Sequence, residues 1–595
     1  MSGLLVARAG STHARDAYES ALLGLAHRGA ADRLEAFGWW AATLSRGPHD
    51  ESSRYVAEDL VVLTAGPVDE VAGRRHPGSA AARLVADQVR SVGAEVTARR
   101  MRGAHTAVLI SPSGVTAWRD HLGFGPLFHA GSGDRIALAS EPLAALLALG
   151  IRPRPDHDGI AAVFWEYAEE DAPTAWVGAR RIPKATLVTA DDSGVRAAAR
   201  YWSPTPLLER RPRDPVELQA EFDDRFSRAV DRVLRGGDVI ALSGGVDSPA
   251  VSAYAGPRER ERYGTPLRAL STVYPGRPSV DESRWVELVA QRHSLELTTY
   301  EPSLSNVARL ADVARRLAAP VPPSMTTDVE EFYRRARQIS GGVVLTGEFA
   351  EYVMELRGEL VPYLLRHGKW QGALRFLAAR RRGGQKLHNL ALEALPAVLP
   401  HRLRTWRRGR RPTDLPDFLT ADHDTSLAML PPGREWRAAQ TRAFYGAGLT
   451  VEADELLQQW SDVVVRRPWI DVDLWELFLG LPAEQKFPES RYKGLVKRLL
   501  RGRVPDEILD RRQFTVFDET LLAGLDRPAL LRPLAETGWQ LPGVDYRRLR
   551  QLLGDQDPME VPAALWATAV AGVHAFLEVS EELASGRRTS ADPTA

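Results

Sequence analysis

Apolar residues in the first two hundred positions come in short runs separated by turns, a spacing that indicates strands. The runs occupy residues 4–7, 107–110, 115–118, 136–139, 181–188 and 200–204. Ser111-Pro-Ser-Gly114 lies between two of them and is typical of a hairpin turn. Helical spacing is confined to segments such as residues 17–27. Paired strands with few helices predict a layered α/β sandwich over residues 1–204.

The pattern changes after residues 205–214, a Pro- and Arg-rich stretch that predicts an interdomain linker. Apolar runs of strand length then alternate with segments of helical spacing. The predicted strands are 239–242, 267–274, 295–299 and 342–347, and the predicted helices are 215–235, 281–293 and one that starts near Pro249. Alternation of this kind favours a parallel doubly wound sheet, which binds ligands at the carboxyl ends of its strands. Residues 355–450 favour helical additions, the domain extends to residue 584, and 585–595 predict a disordered tail.

Composition narrows the classes of function. The 595 residues predict about two to four domains, and the 77 basic side chains equal the 77 acidic ones. Balanced charge favours neither a nucleic acid nor a membrane as partner. Arg or Asp interrupts each apolar run, so we expect no membrane-spanning segment and a cytoplasmic protein. Cysteine is absent, which excludes disulfides, thiolate metal sites and cysteine nucleophiles.

Two basic stretches stand out against this balance, at residues 380–382 and 402–411. A nucleic-acid surface is one interpretation. The balanced overall charge favours a solvated face instead, and a docking patch for an acidic peptide or partner lies between the two.

The strongest chemical signal is Ser243-Gly-Gly-Val-Asp-Ser248, which follows an apolar run and precedes a helix. A strand, a glycine turn and a helix start together present backbone N–H groups and the positive end of a helix dipole to an anion. Gly244 and Gly245 permit close approach, and the two serines add hydroxyl donors. Asp247 cannot bind phosphate itself, so it predicts a bridging cation, most simply Mg²⁺. A tight turn without a ligand is the alternative, but the full string after a strand favours a phosphate site.

This string lacks the lysine of a Walker A loop and resembles the pyrophosphate loop (PP-loop) of the ATP pyrophosphatases. Those enzymes split ATP into AMP and pyrophosphate and adenylate a substrate. The resemblance implies ATP as cosubstrate and an ATP and pyrophosphate site made by Leu242, Ser243, Gly244, Gly245, Asp247, Ser248, Val273, Thr346 and Gly347.

Four short motifs in the first half resemble the glutaminase domain of the asparagine synthetase family. They are Met1-Ser-Gly-Leu4, His27-Arg-Gly-Ala-Ala-Asp32, residues 119–127 and Ala139-Ser-Glu141. The resemblance implies an αββα sandwich of the N-terminal nucleophile (Ntn) type, a class II glutaminase, followed by a PP-loop domain over residues 215–584. The family uses a cysteine nucleophile where this chain has Ser2. A serine hydroxyl is harder to ionise, so we expect a degenerate glutaminase kept as scaffold; a serine activated by its own amine is the alternative.

A motif in the second half of the chain, Leu345-Thr-Gly-Glu-Phe-Ala-Glu-Tyr352, resembles the family's Leu-Ser-Gly-Glu-Gly-Ala-Asp-Glu. The resemblance implies that Glu348 is catalytic and that Glu351 falls on a metal-binding carboxylate, so that Asp247 and Glu351 would hold Mg²⁺. A solvated helix start is the alternative for both glutamates, because acidic residues favour that position.

The family also carries a lysine, thought to stabilise amide formation, shortly after the position of Arg511. Here the sequence reads Arg511-Arg-Gln-Phe-Thr-Val-Phe517. The family's helix match places Lys493 and Lys497 elsewhere, so Arg512 is predicted to supply the catalytic positive charge.

The whole resemblance implies an ATP-dependent ligase that adenylates a carboxylate and lets an amine, in the same molecule, displace AMP. It looks closest to lasso-peptide macrolactam synthetases, with asparagine synthetases and β-lactam synthetases as alternatives. A non-catalytic nucleotide-binding relative is the alternative of another class. The expected substrate is a peptide or small-molecule carboxylate, with a leader-peptide-binding or protease partner as one option.

Overall fold

The structure is a computed structural model that describes most of the chain. The described ranges are residues 2–9, 12–47, 51–132, 135–165, 174–191, 194–208, 211–303, 310–321, 327–351, 360–382, 386–395, 416–419, 448–487, 493–511, 518–536, 538–555 and 557–585. Residues 402–411 and Arg512 lie outside these ranges, as does the expected tail apart from Ser585.

The N-terminal half contains strands that form two antiparallel sheets and a small hairpin. They are β1 (Gly3–Arg8), β2 (Ala30–Ala36), β3 (Trp39–Ser45), β4 (Ser53–Val56), β5 (Val61–Ala65), β6 (Glu70–Val71), β7 (Arg74–Arg75), β8 (Thr106–Ser111), β9 (Gly114–Arg119), β10 (Phe128–Ser132), β11 (Arg135–Ala139), β12 (Ala179–Arg181), β13 (Thr186–Asp191) and β14 (Gly194–Arg200). Within the described residues one sheet has the order β12-β10-β11-β1-β3-β2 and the other β14-β13-β9-β8-β5-β4. The helices of this half are α1 (Thr12–Gly24), α2 (Ala81–Val92), α3 (Ala94–Arg100), α4 (Pro142–Leu147) and α5 (His157–Phe164).

These elements form the predicted αββα sandwich. In β1, Leu4 and Val6 point into the core between the sheets, whereas Leu5 and Ala7 point to the helices. Alternate side chains of a strand face opposite sides, so an all-apolar strand must be covered on both faces. Helices α1 and α4 cover this sheet, and α2 covers the other one. The expectation of an Ntn-type α/β sandwich is therefore confirmed.

The second half is built on a parallel sheet. Its strands are β15 (Val239–Ala241), β16 (Arg268–Thr272), β17 (Glu296–Tyr300), β18 (Val343–Leu345) and β19 (Val464–Arg466). They run parallel in the order β17-β16-β15-β18-β19 across the described residues. The doubly wound sheet is confirmed, and β19 is an addition that the sequence analysis did not predict.

Helices cover both faces of this sheet and extend beyond it. They are α6 (Pro215–Val233), α7 (Asp247–Tyr263), α8 (Ser283–His293), α9 (Leu310–Leu317), α10 (Thr327–Ser340), α11 (Leu360–Arg366), α12 (Trp370–Arg382), α13 (Leu387–Ala394), α14 (Gly448–Ser461), α15 (Val472–Leu479), α16 (Ala483–Lys486), α17 (Gly494–Leu499), α18 (Asp506–Leu509), α19 (Asp518–Ala523), α20 (Arg527–Leu531), α21 (Pro533–Glu536), α22 (Tyr546–Gly554) and α23 (Val561–Ala584). Helix α7 begins two residues before Pro249, so that Asp247 is its first residue.

Helix α23 corrects the expectation that no segment is long and apolar enough to cross a membrane. Its length and hydropathy meet that criterion, yet 72% of its most apolar window is buried inside the fold. Val570 and Phe576 are fully buried, and the helix packs on α9. Gly572 allows this close packing, because a Cβ there would lie 2.8 Å from the carbonyl oxygen of Val321. The apolar composition therefore fits a core helix.

Buried ion pairs join the two halves. Arg28 of the sandwich makes two 2.9 Å hydrogen bonds to the carboxylate of Glu455 in α14. Arg466, at the end of β19, bonds Glu51 at 2.8 Å and Asp69 at 3.2 Å. A buried ion that loses its partner destabilises the fold by about 3–5 kcal/mol, so these contacts fix how the halves meet.

Candidate active site

The candidate site lies where the strand order of the parallel sheet reverses. From β15 the chain adds β16 and β17 on one side and then returns to add β18 and β19 on the other. In open α/β sheets ligands bind at the carboxyl ends of the strands at such a switch point. The loops at residues 242–246 and 346–349 follow the neighbouring strands β15 and β18, so the structure brings together the two predicted motifs.

The PP-loop is held by its own side chains and by a neighbouring glutamate. The backbone N–H of Ser243 donates to Oγ of Ser248 at 2.9 Å, and the two hydroxyl oxygens lie 3.1 Å apart. The N–H of Gly244 donates to Oε2 of Glu282 at 2.8 Å, and Oε1 of Glu282 accepts from Arg511 at 2.9 Å. In this structure the N–H of Gly244, a predicted phosphate donor, is therefore bonded to a carboxylate that links the loop to Arg511.

Two further predicted nucleotide-binding residues lie at the same edge of the sheet. Leu242 is buried, and its N–H donates to the carbonyl of Leu270 at 2.9 Å. Val273 follows β16 directly, and its N–H donates to the carbonyl of Tyr300 at 2.9 Å. Both residues extend the sheet toward the crevice, so their side chains can shape its wall.

Gly347 marks the closest approach between the two loops. A Cβ on Gly347 would lie 2.4 Å from the backbone nitrogen of Ser248 and 2.6 Å from the carbonyl carbon of Asp247. Backbone atoms cannot move aside as a flexible side chain can. A glycine at this position is therefore required for the two loops to meet.

We expect Gly347→Ala to lower the free energy of unfolding by about 1–3 kcal/mol, the usual effect of overpacking, and to weaken ATP binding. Gly131→Ala is the matched control, because Gly131 lies in β10 of the sandwich and its Cβ would lie an ordinary 3.8 Å from the carbonyl oxygen of Arg135. Urea unfolding and ATP titration of both variants measure the difference. Equal stability and affinity in the two variants would contradict the proposed contact.

Asp247 is a buried carboxylate beside the PP-loop, and only one of its two oxygens is hydrogen-bonded. Its Oδ2 accepts from Nζ of Lys493, while its Oδ1 is buried and has no hydrogen-bond partner. Burial raises the pKa of the Asp247 carboxyl above its ordinary value, although Lys493 and Lys497 act to lower it. A buried carboxylate oxygen without a donor is a position that a cation can fill.

Glu351 is the second predicted metal ligand. Burial raises the pKa of its carboxyl, and the charges of Asp247 and Glu348 raise it further, while the charge of Lys493 acts to lower it. The structure therefore brings both predicted carboxylates into one electrostatic environment. No group of three or more His, Asp and Glu side chains suited to a metal occurs within the ranges described. Mg²⁺ commonly uses one or two carboxylates together with substrate phosphates, so the residues present fit such an ion.

Glu348 is held by a buried arginine at the edge of the crevice. Its Oε2 accepts from Nε of Arg467 at 2.8 Å and from the Thr346 hydroxyl at 3.2 Å. The side chain of Glu348 is 49% exposed, whereas that of Arg467 is 3% exposed. The carboxylate can therefore meet a substrate while its partner stays fixed beneath it.

Arg467 is in turn held by Asp454 of α14, whose carboxylate also accepts from the hydroxyl of Tyr333. Burial lowers the pKa of the Arg467 guanidinium, but the charges of Glu348 and Asp454 offset this and raise it above its ordinary value. Arg467 thus stays charged. Neither Arg467 nor Asp454 was predicted from the sequence as a site residue, and no motif marks Asp454.

Lys493 corrects one expectation from the sequence. The helix match predicts a position away from the site. Instead, Lys493 directly precedes α17 with a left-handed φ of 53°, and its Nζ donates to Oδ2 of Asp247. Lys497 lies one turn further on and donates to the carbonyl of Arg511 at 3.4 Å. The positive charge at the PP-loop therefore includes a lysine, while the role predicted for Arg512 stays a prediction outside the described residues.

Ser2 is buried within the sandwich. It is 2% exposed, and its Oγ accepts from the N–H of Gly66 at 2.6 Å. Arg28 donates to the Ser2 carbonyl at 3.3 Å, and His27 stacks on Trp460 of α14 with ring centroids 4.8 Å apart. Trp460 and Glu455 of the second half therefore contact His27 and Arg28, and Arg28 is the neighbour of Ser2.

We expect no glutaminase activity, because a buried serine hydroxyl that accepts a hydrogen bond is a poor nucleophile. The measurement is glutamate release from glutamine by the purified protein, with Ser2→Ala as the matched control. Both should give the same background rate. Glutamate release that disappears in Ser2→Ala would show that the serine is active.

Comparisons with known proteins agree with this division of the chain. Residues 221–576 match the family model described as Asparagine synthase, and residues 72–202 match the Glutamine amidotransferase domain. The curated protein "Asparagine synthetase [glutamine-hydrolyzing] 3" of Bacillus subtilis (strain 168) is 23% identical over 420 residues. That alignment covers 67% of this chain and 64% of the relative, so the chain spans less than two thirds of that protein.

Two solved structures show weaker likeness. One, titled as the allosteric regulatory enzyme of purine biosynthesis, is 13% identical and covers 51% of this chain and 81% of its own, with a TM-score of 0.25. The other, glutamine phosphoribosylpyrophosphate amidotransferase from B. subtilis with ADP and GMP, is 12% identical and covers 58% and 90%, also at 0.25. Neither likeness carries an argument at that score.

Proposed function

Because this chain belongs to the asparagine synthase family, we propose that it is an ATP-dependent, AMP-forming ligase. In the proposed reaction a substrate carboxylate oxygen attacks the α-phosphorus of ATP, and pyrophosphate leaves. An amine then attacks the acyl-adenylate, forming the amide bond and releasing AMP. The observation that supports this best is the PP-loop at the switch point, with Asp247 and Lys493 in contact beside it.

The residues of the crevice divide the work of this reaction. The start of α7 and the hydroxyls of Ser243 and Ser248 suit the phosphates. Asp247 and Glu351 would hold Mg²⁺, which neutralises phosphate charge when bound. Glu348 is the candidate to accept the proton of the attacking amine, because its carboxylate is half exposed and its position is fixed by Arg467.

The amine, in our proposal, comes from the substrate itself rather than from glutamine. The buried Ser2 supports this, because a serine provides no thiol nucleophile to hydrolyse glutamine. The proposed reaction is then a macrolactam closure of the lasso-peptide type, on a peptide that carries both a carboxylate and a free amine. Such a peptide would be made and used in the cytoplasm, and its leader-peptide-binding or protease partner is part of the proposal.

A second candidate is an asparagine synthetase, favoured by the 23% identical curated relative. ATP–pyrophosphate exchange separates the two. Exchange that depends on aspartate would favour the second candidate, and exchange that depends on a linear peptide with an acidic side chain would favour the first. If aspartate, dicarboxylic acids and acidic peptides all leave exchange at background while ATP still binds, the ligase proposal is wrong and a nucleotide-binding relative remains.

A further inference from the structure

We propose that the N-terminal sandwich, although it carries a serine at the nucleophile position, has a function in catalysis: it holds Glu348 in its working orientation. This inference rests on the proposed function of Glu348 in the ligase reaction. Two independent sets of contacts lead from the sandwich to that carboxylate. One passes directly through an aromatic side chain, and the other passes through helix α14.

The direct contact is made by Phe124, which lies in the loop after β9 of the sandwich. The guanidinium carbon of Arg467 lies 5.6 Å from the ring centroid of Phe124 and 5.6 Å from that of Phe349. The two rings meet edge to face, with centroids 5.0 Å apart. Arg467 therefore lies within cation–π reach of both rings, one from each half of the chain, and its Nε bonds the carboxylate of Glu348.

The indirect contact begins on the face of α14 that meets the sandwich. Glu455 binds Arg28 through both carboxylate oxygens at 2.9 Å, and both side chains are almost completely buried. One turn earlier, Glu452 bonds Arg181 at 2.7 Å. Shifting α14 would leave these charges buried and unpaired, which is costly. The sandwich therefore fixes the position of the helix.

The other face of α14 holds the active-site arginine. Asp454 accepts from Arg467, and Gln458 donates to Asp454 at 2.8 Å. The Oε1 of Gln458 also accepts from the N–H of Val465 at 3.0 Å, within β19. Residues 452 and 455 thus anchor the helix to the sandwich, and residues 454 and 458 transmit that position to Arg467 and so to Glu348.

The first test is Phe124→Leu, which removes the aromatic ring but keeps an apolar side chain of similar size. We expect kcat for AMP formation to fall about ten- to a hundredfold, the scale of a small misplacement of a catalytic group, while the KM for ATP stays unchanged. Trp202→Phe is the matched control, since it removes the hydrogen bond from the sandwich to Glu476 at 2.9 Å without touching Arg467. A Phe124→Leu enzyme with the parent kcat, or a control that loses as much kcat, would overturn the proposal.

The second test is a double-mutant cycle between Glu455→Gln and Asp454→Asn. If the sandwich acts through Asp454, Glu455→Gln lowers kcat in the parent but has little further effect once Asp454 is changed. Effects that multiply would mean that the two residues act independently and would contradict the route through α14. Thermal unfolding of each variant shows whether the fold is kept.

A third measurement does not depend on activity. Hydrogen–deuterium exchange should speed up in residues 343–351 and 464–467 of Phe124→Leu, and remain unchanged in β16 and β17. Unchanged exchange in both segments would overturn the proposal even in a protein without measurable turnover. If the parent protein forms no AMP with any substrate, but Phe124→Leu still shows this change in exchange, the proposed function is wrong and the mechanical link remains.

Discussion

Asp247→Asn is expected to reduce AMP formation by about a thousandfold, the upper end of the loss seen when one preorganised charge-stabilising group is removed. The carboxamide keeps the size of the side chain but removes the negative charge. Lys493 then loses the anion that it contacts in the structure, and the candidate cation site loses a ligand. Purified variant and parent are compared by AMP and pyrophosphate release at saturating ATP.

The same substitution acts on stability in two opposing ways. Burial raises the pKa of Asp247, so the folded state binds more protons than the unfolded state above the ordinary pKa of an aspartate. Stability contributed by this group is therefore present at low pH and lost as the pH rises through the raised pKa. Asparagine cannot ionise and avoids that loss, but it removes the anion that Lys493 contacts, and the Lys493 side chain is only 5% exposed. Because a buried ion that loses its partner costs about 3–5 kcal/mol, we expect the variant's Tm at neutral pH to be lower than that of the parent.

Asp214→Asn is the matched control for Asp247→Asn. Asp214 is the N-cap of helix α6, and its carboxylate accepts hydrogen bonds from the N–H groups of Val216 and Glu217. Asparagine caps helices about as well as aspartate, and Asp214 lies outside the crevice. The control should keep both activity and stability. AMP formation at the parent rate by a folded Asp247→Asn protein would remove the carboxylate from the reaction.

Glu348→Gln is expected to lower kcat about a hundredfold or more, the usual contribution of a general base. The amide can still accept a hydrogen bond from Arg467, so the arginine remains in place and the fold is kept. It cannot take a proton from the amine. We expect ATP–pyrophosphate exchange to persist while product formation falls, because the proposed base acts after adenylation.

Glu484→Gln serves as the control for Glu348→Gln, since it removes a carboxylate that pairs with Lys369 at 3.2 Å outside the crevice. Product formation should be unchanged in it. If Glu348→Gln lowers exchange and product formation equally, Glu348 acts in adenylation instead, and the proposed proton transfer is wrong. Retention of full product formation would exclude Glu348 from both steps.

Local patterns predicted most of the scaffold of this site. The strand–glycine turn–helix string gave the PP-loop, and the bounds of β16, β17 and β18 were each predicted to within about two residues, an ordinary boundary error. These predictions succeed because burial and turn chemistry act between neighbours in the chain. Strand β19 was missed, although it is as long as β15 and β18. Those two strands are followed by motifs that drew attention to them.

The contacts that give the site its charge could not be predicted in the same way. Lys493 and Asp247 are 246 positions apart in the sequence, and Phe124 and Arg467 lie in different halves of the chain. Asp454 lies on a helix whose sequence carries no motif. Such pairs are set by tertiary packing, within the second half or between the halves, and that packing depends on the whole chain rather than on any window of it.

The ion pair between Arg28 and Glu455 has a consequence for the order in which the protein folds. The two residues are 427 positions apart, so a ribosome completes the whole sandwich and the first four strands of the parallel sheet before Glu455 emerges. During that time Arg28 has Glu141 as its partner within the sandwich, while the surface meant for α14 stays open to solvent. Closing so long a loop comes late and slowly in folding. We therefore expect the nascent chain to expose this docking surface until α14 has been made.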